Sequence, residues 1–288
     1  MTRGGSTTYT VTVSKQGGFN GVVGFAVSGL GTGASATFAP TSVTGAGSST
    51  LTVKTASTAQ TGTFTLTITG TSGAISRATT VALTVNPPPD FSISAVPGSN
   101  TVAQGQGTSY TVTVNPLNGF NASVNFTASG QGGGTSVKFT PTSVTGAGST
   151  TMTVTTNTTA AVGTFTLTIT GTSGGLHRST TVALTVNPGP NFSISASPAS
   201  QTVTRGASAT YTVTVTGSGG FAGSVTFSVG GLPPGTTAAF TPTSVAGSGT
   251  STFAVSTTSQ TPTGPHSLTI KGTSGGLNHS TKVGLTVN

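Results

Sequence analysis

The sequence predicts an all-β chain of three tandem sandwich domains, and three observations carry that expectation. A block of 101 residues recurs almost three times: Tyr9, Tyr110 and Tyr211 stand 101 residues apart, and so do Phe19, Phe120 and Phe221. Phe38, Phe139 and Phe240 keep the same register, as do Val85, Val186 and Val287, so no insertion interrupts it. A fixed period without gaps is the mark of tandem copies of one unit. Within each copy Thr alternates with Val, Leu, Ile and Phe, the period of a strand with one apolar face, and no segment shows helical periodicity.

The middle copy shows the elements in order. Phe91-Ser-Ile-Ser-Ala opens it, followed by Tyr110-Thr-Val-Thr-Val, Ser123-Val-Asn-Phe-Thr-Ala and the short Val137-Lys-Phe. Met152-Thr-Val-Thr-Thr, Phe165-Thr-Leu-Thr-Ile-Thr and Thr181-Val-Ala-Leu-Thr-Val complete it. Between them lie Asn115-Pro-Leu-Asn-Gly, Gly130-Gln-Gly-Gly-Gly and Gly171-Thr-Ser-Gly-Gly, the composition of tight turns. About seven strands at this spacing is the count of an Ig-like sandwich. Tyr110, Val112, Phe120, Val124, Phe126, Phe139, Val154, Phe165, Leu167, Ile169 and Leu184 are expected to point into its core, which makes the aromatic rings packing residues rather than ligand platforms.

The joints read Val85-Asn-Pro-Pro-Pro-Asp-Phe and Val186-Asn-Pro-Gly-Pro-Asn-Phe. Boundaries near Pro88 and Gly189 divide the chain into residues 1–88, 89–189 and 190–288, and Pro in such short connectors predicts a semi-rigid, extended string. Met1 aligns with Val102 and Val203, so the first copy lacks the counterpart of Asp90 through Thr101, its opening strand. Two expectations follow: a window cut from a longer array, or a sandwich that accepts a strand from a neighbouring molecule. Against strand donation by this chain itself, Val287-Asn288 leaves no spare strand to give.

Composition narrows the function. The chain carries 67 Thr, 37 Ser and 44 Gly, with no Cys and no Trp. Nine Lys or Arg face a single carboxylate side chain, Asp90. Lys15, Lys54, Arg77, Lys138, Arg178, Arg205, Lys271 and Lys282 stand apart as isolated solvated cations, without the basic run that nucleic acid would require. With only 3% charged residues, little repulsion keeps copies apart, and the Thr- and Ser-rich surface suits self-association or a glycan coat. Absence of Cys removes disulfides and thiolate chemistry. No apolar stretch is long enough for a spanning helix, so no membrane insertion is expected, and Met1-Thr-Arg-Gly-Gly lacks the apolar core of an export signal, which for a secreted protein must lie outside this chain.

Phe91-Ser-Ile-Ser-Ala-Val-Pro and Phe192-Ser-Ile-Ser-Ala-Ser-Pro, Tyr-Thr-Val-Thr-Val before Gly-Phe, Gly231-Leu-Pro-Pro-Gly, the Phe-Thr-Pro-Thr-Ser-Val motif and Gly163-Thr-Phe-Thr-Leu-Thr-Ile-Thr-Gly-Thr-Ser-Gly together resemble the bacterial Ig-like domains that occur as tandem arrays in large secreted and surface proteins. The resemblance covers the whole chain and implies spacers, stalks, adhesin shafts or accessory domains without activity of their own. One departure is His266, where the family often has Tyr and the first two copies have Phe64 and Phe165.

The chemistry points the same way. Glycoside hydrolysis needs two carboxylates, and Asp90 is alone in a linker; a Ser-His-Asp set would have to join it to His177, His266 or His279 in different contexts. Calcium lacks acidic ligands, and no cofactor or metal is expected. Sugar stacking lacks Trp, and the three Tyr repeat at a core position. Thr-X-Thr rows suggest an ice-binding face, but Ig sheets twist. Asn121, Asn125, Asn157, Asn191 and Asn278 stand in Asn-X-Ser/Thr sequons and are the candidate N-glycosylation sites. The expected function is a non-enzymatic, extracellular stalk or filament protomer that self-associates head-to-tail or by strand donation. The alternative is an adhesive or carbohydrate-binding accessory module, with His177, Arg178, Asn278 and His279, in the loop entering the last strand, as ligand candidates.

Overall fold

The computed structural model describes all residues, 1–288, as strands, turns and connections with no helix. The first copy holds β1 (Ser6–Val13), β2 (Val22–Ser28), β3 (Ala34–Ala39), β4 (Ser42–Thr44), β5 (Gly47–Thr55), β6 (Gly62–Ser72) and β7 (Ile75–Val85). The second holds β8 (Asp90–Val96), β9 (Ser99–Ala103), β10 (Gly107–Leu117), β11 (Ser123–Ser129), β12 (Thr135–Thr140), β13 (Ser143–Thr145), β14 (Gly148–Thr156), β15 (Gly163–Ser173) and β16 (Leu176–Asn187). The third repeats that set as β17 (Asn191–Ser197), β18 (Ser200–Val203), β19 (Ser208–Ser218), β20 (Ser224–Gly230), β21 (Thr237–Thr241), β22 (Ser244–Ala246), β23 (Gly249–Ser256), β24 (Gly264–Ser274) and β25 (Leu277–Val287).

In the second copy one sheet runs β12-β14-β10-β8 and the other β13-β11-β15-β16-β9. All pairings are antiparallel except β9 along β16, which is parallel. Two sheets that share strands in this order make an Ig-like sandwich. The third copy repeats it as β17-β19-β23-β21 against β18-β25-β24-β20-β22. Nine strands rather than about seven arise because β9 and β13, of five and three residues, are too short to show an alternation in sequence.

The alternating apolar faces meet between the sheets. Of the eleven residues expected in the second core, ten are buried and Phe165 is half-buried. Its ring lies over Gly132, where an added Cβ would come within 2.4 Å of it. The third copy has His266 and Pro233 at those two positions, so the smaller ring accompanies the larger neighbour.

Three polar ties recur with the period and explain why hydroxyl residues interrupt the apolar face. Tyr110 donates its hydroxyl to Ala183 O at 2.7 Å, and Tyr211 to Gly284 O at 2.6 Å, each spanning the two sheets. Ser49, Thr150 and Ser251, all buried, donate to the carbonyls of Pro40, Pro141 and Pro242. Thr55, Thr156 and Thr257 donate to Gly5, Gln106 and Ala207 in the turn before β1, β10 and β19. A buried hydroxyl costs stability unless it finds such a partner.

The first copy departs from the other two. Its sheets are β1-β5-β3 and β4-β2-β6-β7, with no counterpart of β8 and only a Thr2–Asn86 bridge where β9 would run. Its buried apolar cluster has 6 members against 19 in the second copy, a difference that a missing strand across the inter-sheet gap accounts for.

Candidate functional site at the open edge

Where β8 lies along β10, the register runs from Thr111 opposite Val96 to Leu117 opposite Asp90. One period earlier, Thr10 through Gln16 have no strand beside them, and β1 is paired on one side only, with β5. A groove of about 460 Å³ opens there, walled by Val11 and Val13 from β1 and by Val23, Ile68 and Gly70 from the facing sheet. Lys15 and Arg77 also line it.

The filled copies show what such a groove holds. Phe91 is fully buried against Phe120, ring centroids 4.9 Å apart, and Phe192 packs on Phe221 at 5.1 Å. Both rings sit over a glycine of the opposite sheet. A Cβ on Gly171 would meet Phe91 at 3.2 Å and Ile93 at 3.3 Å, and one on Gly272 would meet Ile194 at 3.2 Å and Phe192 at 3.3 Å. At Gly70 a Cβ would meet only Val23, at 3.0 Å. Val114 and Val215 are buried, whereas Val13 is half-buried.

Polar residues at the strand's first position follow the same rule. Asp90, expected in a linker, is the first residue of β8, and Arg178 donates to it at 2.6 Å. That ion pair corrects the reading of Arg178 as an isolated solvated cation; the two residues are 88 apart in sequence, beyond any local pattern. The Arg178 hydrogen bond, helped by the Phe91 N–H at 2.7 Å, holds the Asp90 carboxyl below the usual carboxylate range against the opposing effect of burial. In the third copy His279 Nε2 meets Asn191 Oδ1 at 2.9 Å, and its ring stands edge-on to Phe192. In the first copy the equivalent Arg77 is exposed and donates only to the carbonyl of its neighbour Ser76.

The four ligand candidates therefore fall on strands rather than in the preceding loop, at the second and third residues of β16 and β25. His177 meets Thr172 Oγ1 at 3.2 Å and Asn278 accepts from Thr273 Oγ1 at 3.0 Å, each within its own hairpin. His177 and Arg178 stay in the second copy and Asn278 and His279 in the third, so they do not converge on one site. All five sequon asparagines are exposed. Asn125 lies on β11 between inward Val124 and Phe126, whereas Asn157 Oδ1 caps the turn at Thr159 and Asn191 Oδ1 receives His279 and the Phe192 N–H.

No protein-family model and no curated protein matches the chain. Among solved structures it is similar to the I-band fragment I67-I69 from titin, at 13% identity and TM-score 0.33, covering 100% of this chain and 94% of that one. It is also similar to domains 4-9 of the surface layer protein SbsC, at 18% identity and TM-score 0.31, covering 96% of this chain and 42% of that one. A third likeness is to the endo-fucoidan hydrolase MfFcnA4 of glycoside hydrolase family 107, at 14% identity and TM-score 0.30, covering 100% of this chain and 42% of that one. At these values no activity or assembly of those proteins transfers to this one.

Proposed function

We propose that the chain is a non-enzymatic structural array, a stalk or the protomer of a surface filament, of the kind its motifs resemble in bacterial secreted and surface proteins. The observation that carries this reading is the use of the repeated residues: Tyr110 and Tyr211 tie sheets together, Thr150 and Ser251 tie a strand end, and Phe91 and Phe192 fill the gap between sheets. The period thus preserves a building unit. Division into units near Pro88 and Gly189 completes the proposal, with short Pro-containing connectors setting neighbours in line. An open β1 edge and nearly uncharged faces supply the contacts, and contacts that repeat head-to-tail without closing generate a fibre. Glycans on Asn125, whose side chain is exposed on a strand, would add hydration to such a surface.

Electron microscopy of native, undenatured protein tests the reading. Filaments with a regular repeat are the expected result. A chain that stays monodisperse and monomeric at high concentration, by sedimentation, contradicts assembly into a filament and leaves the stalk.

A further inference from the structure

We infer that the first sandwich is a strand acceptor, which takes an acid-Phe-polar-Ile-polar-Ala segment of a separate polypeptide antiparallel to Thr10–Gln16. This rests on the reading of the chain as a scaffold that assembles through sheet edges. The geometry of the two filled copies specifies the occupant. Gly70 is a bare seat beneath the position that Phe91 and Ile93 occupy over Gly171, and Phe19 stands where Phe120 receives the Phe91 ring. Thr10 through Gln16 offer unpaired backbone groups for a strand in the register of β8 on β10, and an incoming chain gains main-chain hydrogen bonds together with side-chain seats.

Charge sets the first residue. Arg178 holds a carboxylate at 2.6 Å, and Arg77, its equivalent, lines the vacant groove with Lys15 and has no carboxylate beside it. The chain's own single carboxylate, Asp90, is already engaged by Arg178, so the acid must come from outside. A second copy is a poor donor for a physical reason: its β8 and β17 already close their own sandwiches, and moving either merely relocates the vacancy.

The test is fluorescence anisotropy of a labelled peptide with the sequence of Asp90–Pro97, added to the intact 288-residue chain. Saturable one-to-one binding is expected. Replacing the peptide's Phe by Ala should weaken it about 100-fold, because one buried aromatic anchor dominates a short interface. Arg77→Glu should weaken the Asp-led peptide about tenfold and leave a peptide with the sequence of Asn191–Pro198 nearly unchanged. Gly70→Val should block both, with circular dichroism confirming that the variant is folded.

Absence of saturable binding, or equal binding of a scrambled peptide, overturns the inference. Equal weakening of both peptides by Arg77→Glu overturns the assigned register. A dimer that forms without peptide and excludes it puts a second copy in the groove and overturns the separate partner. Filaments without peptide binding would leave the structural reading standing and remove this inference; binding without filaments would do the reverse.

Discussion

The first and second sandwiches use nearly the same sequence pattern to different effect, and one strand makes the difference. Tyr110 is buried, and its hydroxyl tie to Ala183 is shielded; Tyr9 makes the equivalent tie to Ala82 at 2.9 Å in an exposed setting. The start of β16 is half-buried at alternate positions, whereas the start of β7 is exposed throughout. The lesson is that the edge strand acts as a lid on the inter-sheet gap. Its two apolar side chains, Phe91 and Ile93, decide how much of the facing sheet is dry.

The largest expected effect tests that role. Phe91→Ala should destabilise the second sandwich by about 3–5 kcal/mol, as expected for emptying a fully buried aromatic site, and should expose Val114 as Val13 is exposed in the first. Chemical denaturation followed by a probe in the second copy would show it. A loss below about 1 kcal/mol would mean that β8 is an accessory rather than a lid.

A smaller contrast comes from the tyrosines. Tyr110→Phe should cost about 1–3 kcal/mol because it strands a partly buried carbonyl, while Tyr9→Phe should cost under about 1 kcal/mol where water can replace the hydroxyl. Equal costs would erase the distinction between a closed and an open sandwich. Burial also raises the hydroxyl pKa of Tyr110 and of Tyr211. Their neutral forms therefore support folding below about pH 10, and that support is lost as the pH rises through the elevated folded values. Denaturation midpoints from pH 9 to 12 should fall for the wild type and fall less for Tyr110→Phe.

The smallest effect concerns the ion pair. Asp90→Asn should change stability by only about 0–1 kcal/mol, since the two side chains are 29% and 38% exposed, Asp90 and Arg178 respectively. Its sign with pH is set by the lowered Asp90 pKa: the contribution is present above about pH 4 and is lost as the pH falls through the depressed folded value. Asp90→Asn should remove that acid dependence, as thermal melts between pH 2 and 6 would show. An unchanged profile would place the pair outside the folding equilibrium.

Much of the fold was legible in the sequence because it is written in local terms. The alternation in Tyr110-Thr-Val-Thr-Val or Phe165-Thr-Leu-Thr-Ile assigns strand and face together, and the 101-residue register repeats it. Strands β9 and β13 were not legible: Ser-Asn-Thr-Val-Ala and Ser-Val-Thr are held by partners across the sheet rather than by their own pattern. The site was less legible still, because a groove is a relation among strands distant in sequence. Its polar partners did leave a trace. Asp90 with Arg178 and Asn191 with His279 share one spacing of 88 residues in successive copies, and the same register points from Arg77 to a position before Met1. The seats at Gly70, Gly171 and Gly272 repeat too, as glycines inside otherwise apolar strands, a pattern that marks close approach from another chain segment.

Hydrogen exchange tests the difference between open and closed sandwiches most directly. Amides in residues 6–16 should exchange well before those in residues 107–117, because β1 is paired on one side and β10 on both. Addition of the Asp90–Pro97 peptide should slow exchange in residues 6–16 alone. Equal protection of the two segments in the free chain would contradict the account, for it would mean that the first sandwich is closed without the strand.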